Sequence, residues 1–334
     1  MLVRLTTSSS GSYSPRNVAD DTGSPRGLRV TAEQLPRAVS LRVQVVLFRN
    51  DLGQLWRLTA GVAAAQQRAK AVGTLAQIEL AFGDASPIPL LAPPGLEQLR
   101  DHACTRGIDA FSYQCFNENL GSAGGSNRLA ADATTDHLLV LNPDTYPSPD
   151  LLVELLRAVR DPRVGIAEAR QIPLEHPKAF DTHTGDTSWA SGCCMLIPRP
   201  VFEAVGGFDP AHFFLHCDDV DFSWRVRLAG YRVMHVPSAA VFHDKRIDAG
   251  GGMVTPVVET YFGTLGRCML ARRYGREDVV AETLVWSERH GTKAHQDAAQ
   301  EYRRRQAAGT LPPPLAGAAR VAEFTGNNYA VHRF

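Results

Sequence analysis

The feature that most constrains this chain is an alternation, beginning at Leu41, of short apolar runs with longer stretches of helical spacing. LRVQVVLF reads as a strand and the alanine-rich stretch Leu52 to Lys70 as a helix. IELAF (Ile78 to Phe82) is a second strand, Leu96 to Arg106 a second helix, AFSYQCF (Ala110 to Phe116) a third strand and HLLVL (His137 to Leu141) a fourth. Strand and helix joined by short connections build right-handed βαβ units, so the expected fold is α/β, an open, mostly parallel sheet flanked by helices. In such sheets ligands bind beyond the carboxyl ends of the strands. Each run here ends in a polar or glycine-rich corner: Arg49-Asn50-Asp51, Gly83-Asp84-Ala85-Ser86, the loop Asn119 to Asn127 ahead of a short helix near Arg128 to Ala133, and Asn142-Pro143-Asp144.

The second half reads as a helix from Asp150 to Arg160, a strand near Val164 to Ala169, a polar mobile loop from Glu175 to Ser188, a strand in WASGCCMLI and a short helix in PRPVFEAVGGF. Residues 1–37, rich in Ser, Thr, Gly, Pro and Arg, read as a flexible tail. The main domain is expected over 38–253, a C-terminal helical extension over 254–310 and a Pro-containing tail over 311–334. With 35 Lys+Arg against 35 Asp+Glu the chain is neutral, which argues against nucleic acid as a partner. Six cysteines without a CxxC pair support neither a disulfide framework nor a structural zinc site. No run reaches the ~18–20 apolar residues that span a bilayer, and the start lacks the pattern of a secretory signal. The expectation is a cytoplasmic protein, or one that meets the inner membrane face peripherally.

The densest acidic cluster is HCDDVDFSWRVRLAGYRV. Helical spacing from Asp219 puts Val220, Trp224 and Leu228 on one face, with Gly230 as the stop and Asp221 and Arg225 four apart. Asp218 and Asp219 fall at the helix start, where the macrodipole favours ionised carboxylates, and taken alone such residues are more often caps than catalysts. Asp144, at the end of a parallel strand with Asn142 two residues before it, suits a divalent cation bound between carboxylate and diphosphate, or an Asx-Pro turn capping the next helix. His243, after the strand YRVMHV, taken alone reads as an ordinary surface or core histidine. The loop Asn119 to Asn127 has neither a GxGxxG nor a P-loop pattern.

Together these segments resemble the inverting glycosyltransferases of family 2, which have the GT-A fold, and especially their rhamnosyltransferase-like and galactofuranosyltransferase-like members. The resemblance covers roughly Leu41 to Tyr274. It rests on VQVVLFRN, on FNENLGSAGGSNRLA, on LLVLNPDT as the LNPD form of the DXD motif, on the long block from SGCCMLIPRP through GGFDPAHFFLHCDDVDFSWR to PSAAVFH, and on RCMLARRYG. It implies that Asp219 is the general base and that Asp218 positions the acceptor beside it. Asp144 and His243 would ligate Mn2+ or Mg2+. Phe48, Asn50, Asp84, Gly121, Gly125, Asn127, Asn142 and Asp144 would bind the donor, while Gly192, Phe214 and Asp218 would line the acceptor side. The implied substrates are a nucleotide-diphosphate sugar, dTDP- or UDP-linked, and a hydroxyl of a glycan, lipid-linked glycan or glycoside, in cell-wall or polysaccharide biosynthesis.

Three positions depart from the family pattern: Asn142 opens the DXD-like motif, FGDAS replaces VDNxS with its acid one position later, and Cys268 replaces an Asn. They motivate an alternative, a catalytically silent nucleotide-sugar or glycan-binding module. A nucleotidyltransferase would need a glycine-rich, basic segment after the first strand, which FRNDLGQ lacks. The Arg and Tyr residues of the C-terminal helix read as a solvated face, with membrane-surface contact or homo-oligomer formation as alternatives. Neutrality also bears on the metal: a chain without basic surplus that gathers Asp144, Asp218, Asp219 and Asp221 needs a bound cation to attract a diphosphate.

Overall fold

A computed structural model describes residues 37–176, 178–245 and 256–330. The expected N-terminal tail therefore lies, apart from Arg37, outside the described residues. The described residues form one compact unit.

The first strand, β1 (Val39–Leu47), is buried on both faces, with Leu41, Val43, Val45 and Leu47 inaccessible to solvent. That is the pattern of a central strand in a sheet covered on both sides. It pairs in parallel with β2 (Leu75–Asp84) and with β4 (His137–Leu141), and β2 pairs in parallel with β3 (Ala110–Cys115). Helices α1 (Leu52–Ala71) and α2 (Pro93–Thr105) make the first two crossovers. With β5 (Thr145–Pro147), β6 (Val164–Ile172), β7 (Cys194–Pro198) and β8 (Arg232–His243), the sheet order is β3-β2-β1-β4-β7-β6-β8-β5, so the parallel half is continuous.

Beyond β4 the sheet becomes mixed. β7 (Cys194–Pro198) runs antiparallel to both β4 and β6 (Val164–Ile172), and the short β5 (Thr145–Pro147) runs antiparallel to β8 (Arg232–His243). β6 and β8 are parallel. Helices α1 and α2, with α4 (Leu151–Ala158), pack on one face of the sheet. On the other face, α3 (Gly121–Ala130), α5 (Arg199–Val205) and α6 (Asp218–Leu228) bury Ala123, Phe202, Phe222 and Val226 against β4, β6, β7 and β8.

Three local expectations need correction. Helix α3 begins at Gly121 and consumes the segment read as a loop, because packing against β1 outweighs glycine's poor helix propensity. Gly125 is essential to that packing: a Cβ there would lie 2.7 Å from Val46. The 175–188 segment, read as a mobile loop, carries Lys178 into the interior, where its side chain is 3% exposed. The expected tail also packs, since Ala318 and Val321 are buried and Phe324 and Tyr329 lie against a second core with α7 (Val257–Arg273), α8 (Glu277–His290) and α9 (Lys293–Ala307).

Candidate active site

The carboxyl ends of β1 to β4 open on one edge, and backbone strain gathers around it. Among the described residues, four non-glycine residues have positive φ: Arg49 after β1, Asn117 after β3, and His216 and Cys217 just before α6. Such conformations persist only where the surroundings over-determine them. The consecutive left-handed pair at 216 and 217 turns the chain sharply into α6, so that Asp218 and Asp219 stand at its first turn. Val220 and Trp224 are fully buried beneath them and fix that helix.

Asp219 is half-buried and held from two sides. Its Oδ2 accepts the Gly192 N–H at 2.9 Å and its Oδ1 accepts the Val220 N–H at 2.8 Å. Asp218 is buried and its Oδ2 accepts the Ser122 hydroxyl at 2.7 Å. Burial raises both carboxyls, and the neighbouring Asp219 charge helps to push Asp218 up to about 7.

Asp144 and His243, about a hundred residues apart in sequence, meet because β5 pairs with the end of β8. His243 Nε2 lies 3.3 Å from the Asp144 carboxylate. On the other side of the ring, Nδ1 faces Gln171 Oε1 at 3.0 Å and Cys193 Sγ at 3.3 Å. A proton on Nδ1, donated to Gln171, leaves the Nε2 lone pair turned toward Asp144. An imidazole nitrogen and a hard carboxylate oxygen this close fit a divalent cation such as manganese. Among the described residues no three or more His, Cys, Asp or Glu are placed to hold a metal ion together, so an ion here would take its other ligands from outside the protein.

Two adjacent residues couple these pairs. Gly192 donates to the Asp219 carboxylate, while the next residue, Cys193, sets its Sγ 3.3 Å from His243 Nδ1 and its carbonyl accepts the Asn142 N–H at 2.9 Å. Helix α3 is tied to the same centre: Ser122 N–H donates to the Phe214 carbonyl at 3.1 Å, and a Cβ on Gly121 would lie 2.0 Å from that oxygen. Gly121 also has φ +65°, so glycine is required there twice over.

No protein-family model matches the chain. Its sequence is similar to N-acetylglucosaminyl-diphospho-decaprenol L-rhamnosyltransferase of Mycobacterium tuberculosis, at 34% identity over 40% of this chain and 58% of the relative. It is also similar to rhamnosyltransferase WbbL of Escherichia coli, at 26% identity over 41% of this chain and 61% of that protein. The chain thus spans less than two thirds of the length of these relatives. Among solved structures it resembles GalNAc-T7 with UDP, GalNAc and Mn2+, with TM-score 0.58, 14% identity, and coverage of 83% of this chain and 56% of that one. It also resembles the mannosyltransferase PcManGT of Pyrobaculum calidifontis in complex with GDP-Man and Mn2+, with TM-score 0.51, 16% identity, and coverage of 85% and 78%. The fold is of the GT-A glycosyltransferase type.

Within this GT-A domain the expected site residues divide into two groups. Asp144 with His243, Gly192 with Asp219, and Gly121 with Phe214 converge as described. Phe48, 43% exposed, and Asn50, whose Oδ1 accepts the Phe48 N–H at 2.8 Å, form the corner after β1. That corner meets the next one, where Arg49 N–H donates to Ser86 Oγ at 2.9 Å. Three other residues are spent on architecture. Asn127 exchanges two 2.9 Å hydrogen bonds with the Phe208 backbone, and Gly125 faces β1. Asp84 is inaccessible to solvent and accepts the Ser86 N–H at 2.9 Å, the Leu90 N–H at 2.7 Å and the Tyr113 hydroxyl.

Sequence reasoning missed the supporting residues of this GT-A site. Arg273 of α7 bonds the buried Asp221 at 2.8 Å and pairs with Asp209, tying the GGFDP segment and α6 to the C-terminal region. Asp221 also accepts from Arg225 at 2.8 Å, the pair expected from their spacing. Buried Glu168 accepts the Ser191 N–H at 2.7 Å and pairs with Lys178, whose ammonium stands 4.2 Å over the Trp189 ring. Ser122 and Gln171 sit in unremarkable polar contexts, and only the fold reveals their partners.

Proposed function

We propose that this chain is a metal-dependent, inverting glycosyltransferase that moves a sugar from a dTDP- or UDP-linked donor to a hydroxyl of a glycan or lipid-linked acceptor. The observation that carries the reading is the Gly192-Cys193 bridge. One peptide step links the carboxylate suited to take a proton with the pair suited to hold a metal.

In this reading Asp144 Oδ and His243 Nε2 hold the divalent cation, which when bound offsets charge on the leaving diphosphate. Asp219 Oδ accepts the proton of the acceptor hydroxyl as its oxygen bonds the anomeric carbon and the carbon–oxygen bond to the diphosphate breaks on the opposite face. The Gly192 and Val220 N–H groups hold the ionised carboxylate in place, and Asp218, fixed by Ser122, orients the acceptor. The rhamnosyltransferase relatives, one named for a lipid-linked N-acetylglucosaminyl acceptor, support a deoxyhexosyl donor and a lipid-linked acceptor.

A thermal-shift screen of nucleotide sugars with and without manganese tests this directly, because a ligand of the native state raises the melting temperature. Stabilisation by one donor that needs manganese and is lost in Asp144→Ala supports the reading. Equal stabilisation of both proteins, metal present or not, sinks it.

A further inference from the structure

We infer that the C-terminal region carries a second, non-catalytic saccharide site, a pocket between α7 and α8, α9 and the 327 segment that takes one neutral pyranose ring. Its volume is about 230 Å³, lined by Arg267, Glu282, Thr283, Trp286, His295 and Asn327. This is smaller than the ~300–1,000 Å³ typical of sites for drug-sized ligands, and suits a single ring. None of the six belongs to the transferase site described above.

Two of the lining groups are buried without a hydrogen-bond partner among the described residues: Arg267 Nε and Thr283 Oγ1, the latter on a residue only 3% exposed. Buried polar atoms normally have partners, so a pair of orphans facing one pocket points to a ligand that supplies them. His295 adds a donor. Its Nδ1 accepts the Thr292 N–H at 3.1 Å in the α9 capping box, which puts the ring proton on Nε2. Glu282 supplies acceptor capacity and takes one hydrogen bond from Asn327 Nδ2 at 3.1 Å.

Trp286 is 46% exposed, and its ring is set at 81° to that of His295 with centroids 5.0 Å apart. The pocket therefore offers an oriented indole beside both donors and acceptors. Arg267 and Glu282 balance in charge, which disfavours a phosphate and favours an uncharged polyol whose hydroxyls both donate and accept. A sugar ring has that chemistry, with apolar C–H faces for an indole to cover. Such a site would hold a sugar unit of an extended saccharide away from the reacting hydroxyl.

The test is tryptophan fluorescence and saturation-transfer NMR on the full chain, titrated with the methyl glycosides of rhamnose, N-acetylglucosamine, galactose and glucose. At least one glycoside should bind, and Trp286→Ala and Thr283→Val should each weaken it about tenfold or more at unchanged secondary structure by circular dichroism. Thr283→Ser, which keeps the hydroxyl, should restore most of the affinity lost in Thr283→Val. Absence of binding by all four glycosides, or binding that Trp286→Ala leaves intact, overturns the inference. Inorganic phosphate competing for the pocket would overturn it too. These outcomes are read without transfer activity, so they stand apart from the fate of the transferase reading.

Discussion

Asp218 and Asp219 show how two like charges become a tool rather than a liability. Their separate environments were not visible in the sequence, where a pair of carboxylates at a helix start reads as a cap. What changes the reading is the Gly192 N–H on one and the Ser122 hydroxyl on the other. Because burial raises the Asp219 carboxyl, a base at this position is lost at a higher pH than the ~4 of an isolated aspartate. In the proposed reaction the acid limb of kcat/KM should therefore lie above pH 5. Ser122→Ala, which removes a hydrogen bond favouring the ionised form of Asp218, should move that limb upward, and a limb below pH 5 would contradict the account. Gly121 makes a second case at this scale. Gly121→Ala forces a methyl to within 2.0 Å of the Phe214 carbonyl at φ +65°, and should cost about 2–4 kcal/mol in chemical denaturation.

At the scale of elements, periodicity and turn residues carried the reading far. The four parallel strands and their carboxyl edge were legible because strand burial and polar corners are local signals. The Asp221–Arg225 pair was legible because helical spacing is fixed. Antiparallel β7 was not, since strand direction depends on pairing distant in sequence. The start of α3 was also missed, because glycine signals a loop locally and only Val46 and the Phe214 carbonyl explain why the helix tolerates it. Nor could a polar loop announce that Lys178 is buried on Glu168. Burial opposes the Glu168 charge, yet Lys178 and His235 hold its carboxyl below the usual range. Lys178→Met should therefore strand a buried carboxylate and cost about 3–5 kcal/mol, read as a lower denaturation midpoint. In the double variant Lys178→Met, Glu168→Gln much of the loss should return. If the single variant keeps wild-type stability, the pair does not support the Ser191 turn.

Across the whole molecule, the C-terminal helices pack into the candidate site and are not an appendage to it. Arg273 bonds Asp221 on α6, Trp224 stands 4.6 Å from Tyr274, and Trp189 stands 5.5 Å from Tyr329 beside the turn that carries Gly192. Arg273→Met should accordingly lower stability by about 3–5 kcal/mol and reduce transfer with it, which a melt and an activity assay on the same preparation would show. The family resemblance covered the strands and the block around α6, whereas the stretch read only as a Pro-containing tail holds a few well-placed aromatics that pack. Charge neutrality takes its meaning at this scale as well. A chain with 35 positive and 35 negative side chains has no surplus to attract a diphosphate, so the proposed donor would need the cation proposed for Asp144 and His243 as the source of that attraction.

The most direct measurement is release of nucleoside diphosphate from dTDP- and UDP-sugars, with manganese and a lipid-linked N-acetylglucosaminyl acceptor, by the wild-type chain and by Asp219→Asn. The account predicts acceptor-dependent release that falls about 100- to 10,000-fold in the variant while its affinity for the nucleotide sugar stays near wild type. Release by the variant within tenfold of wild type would contradict it.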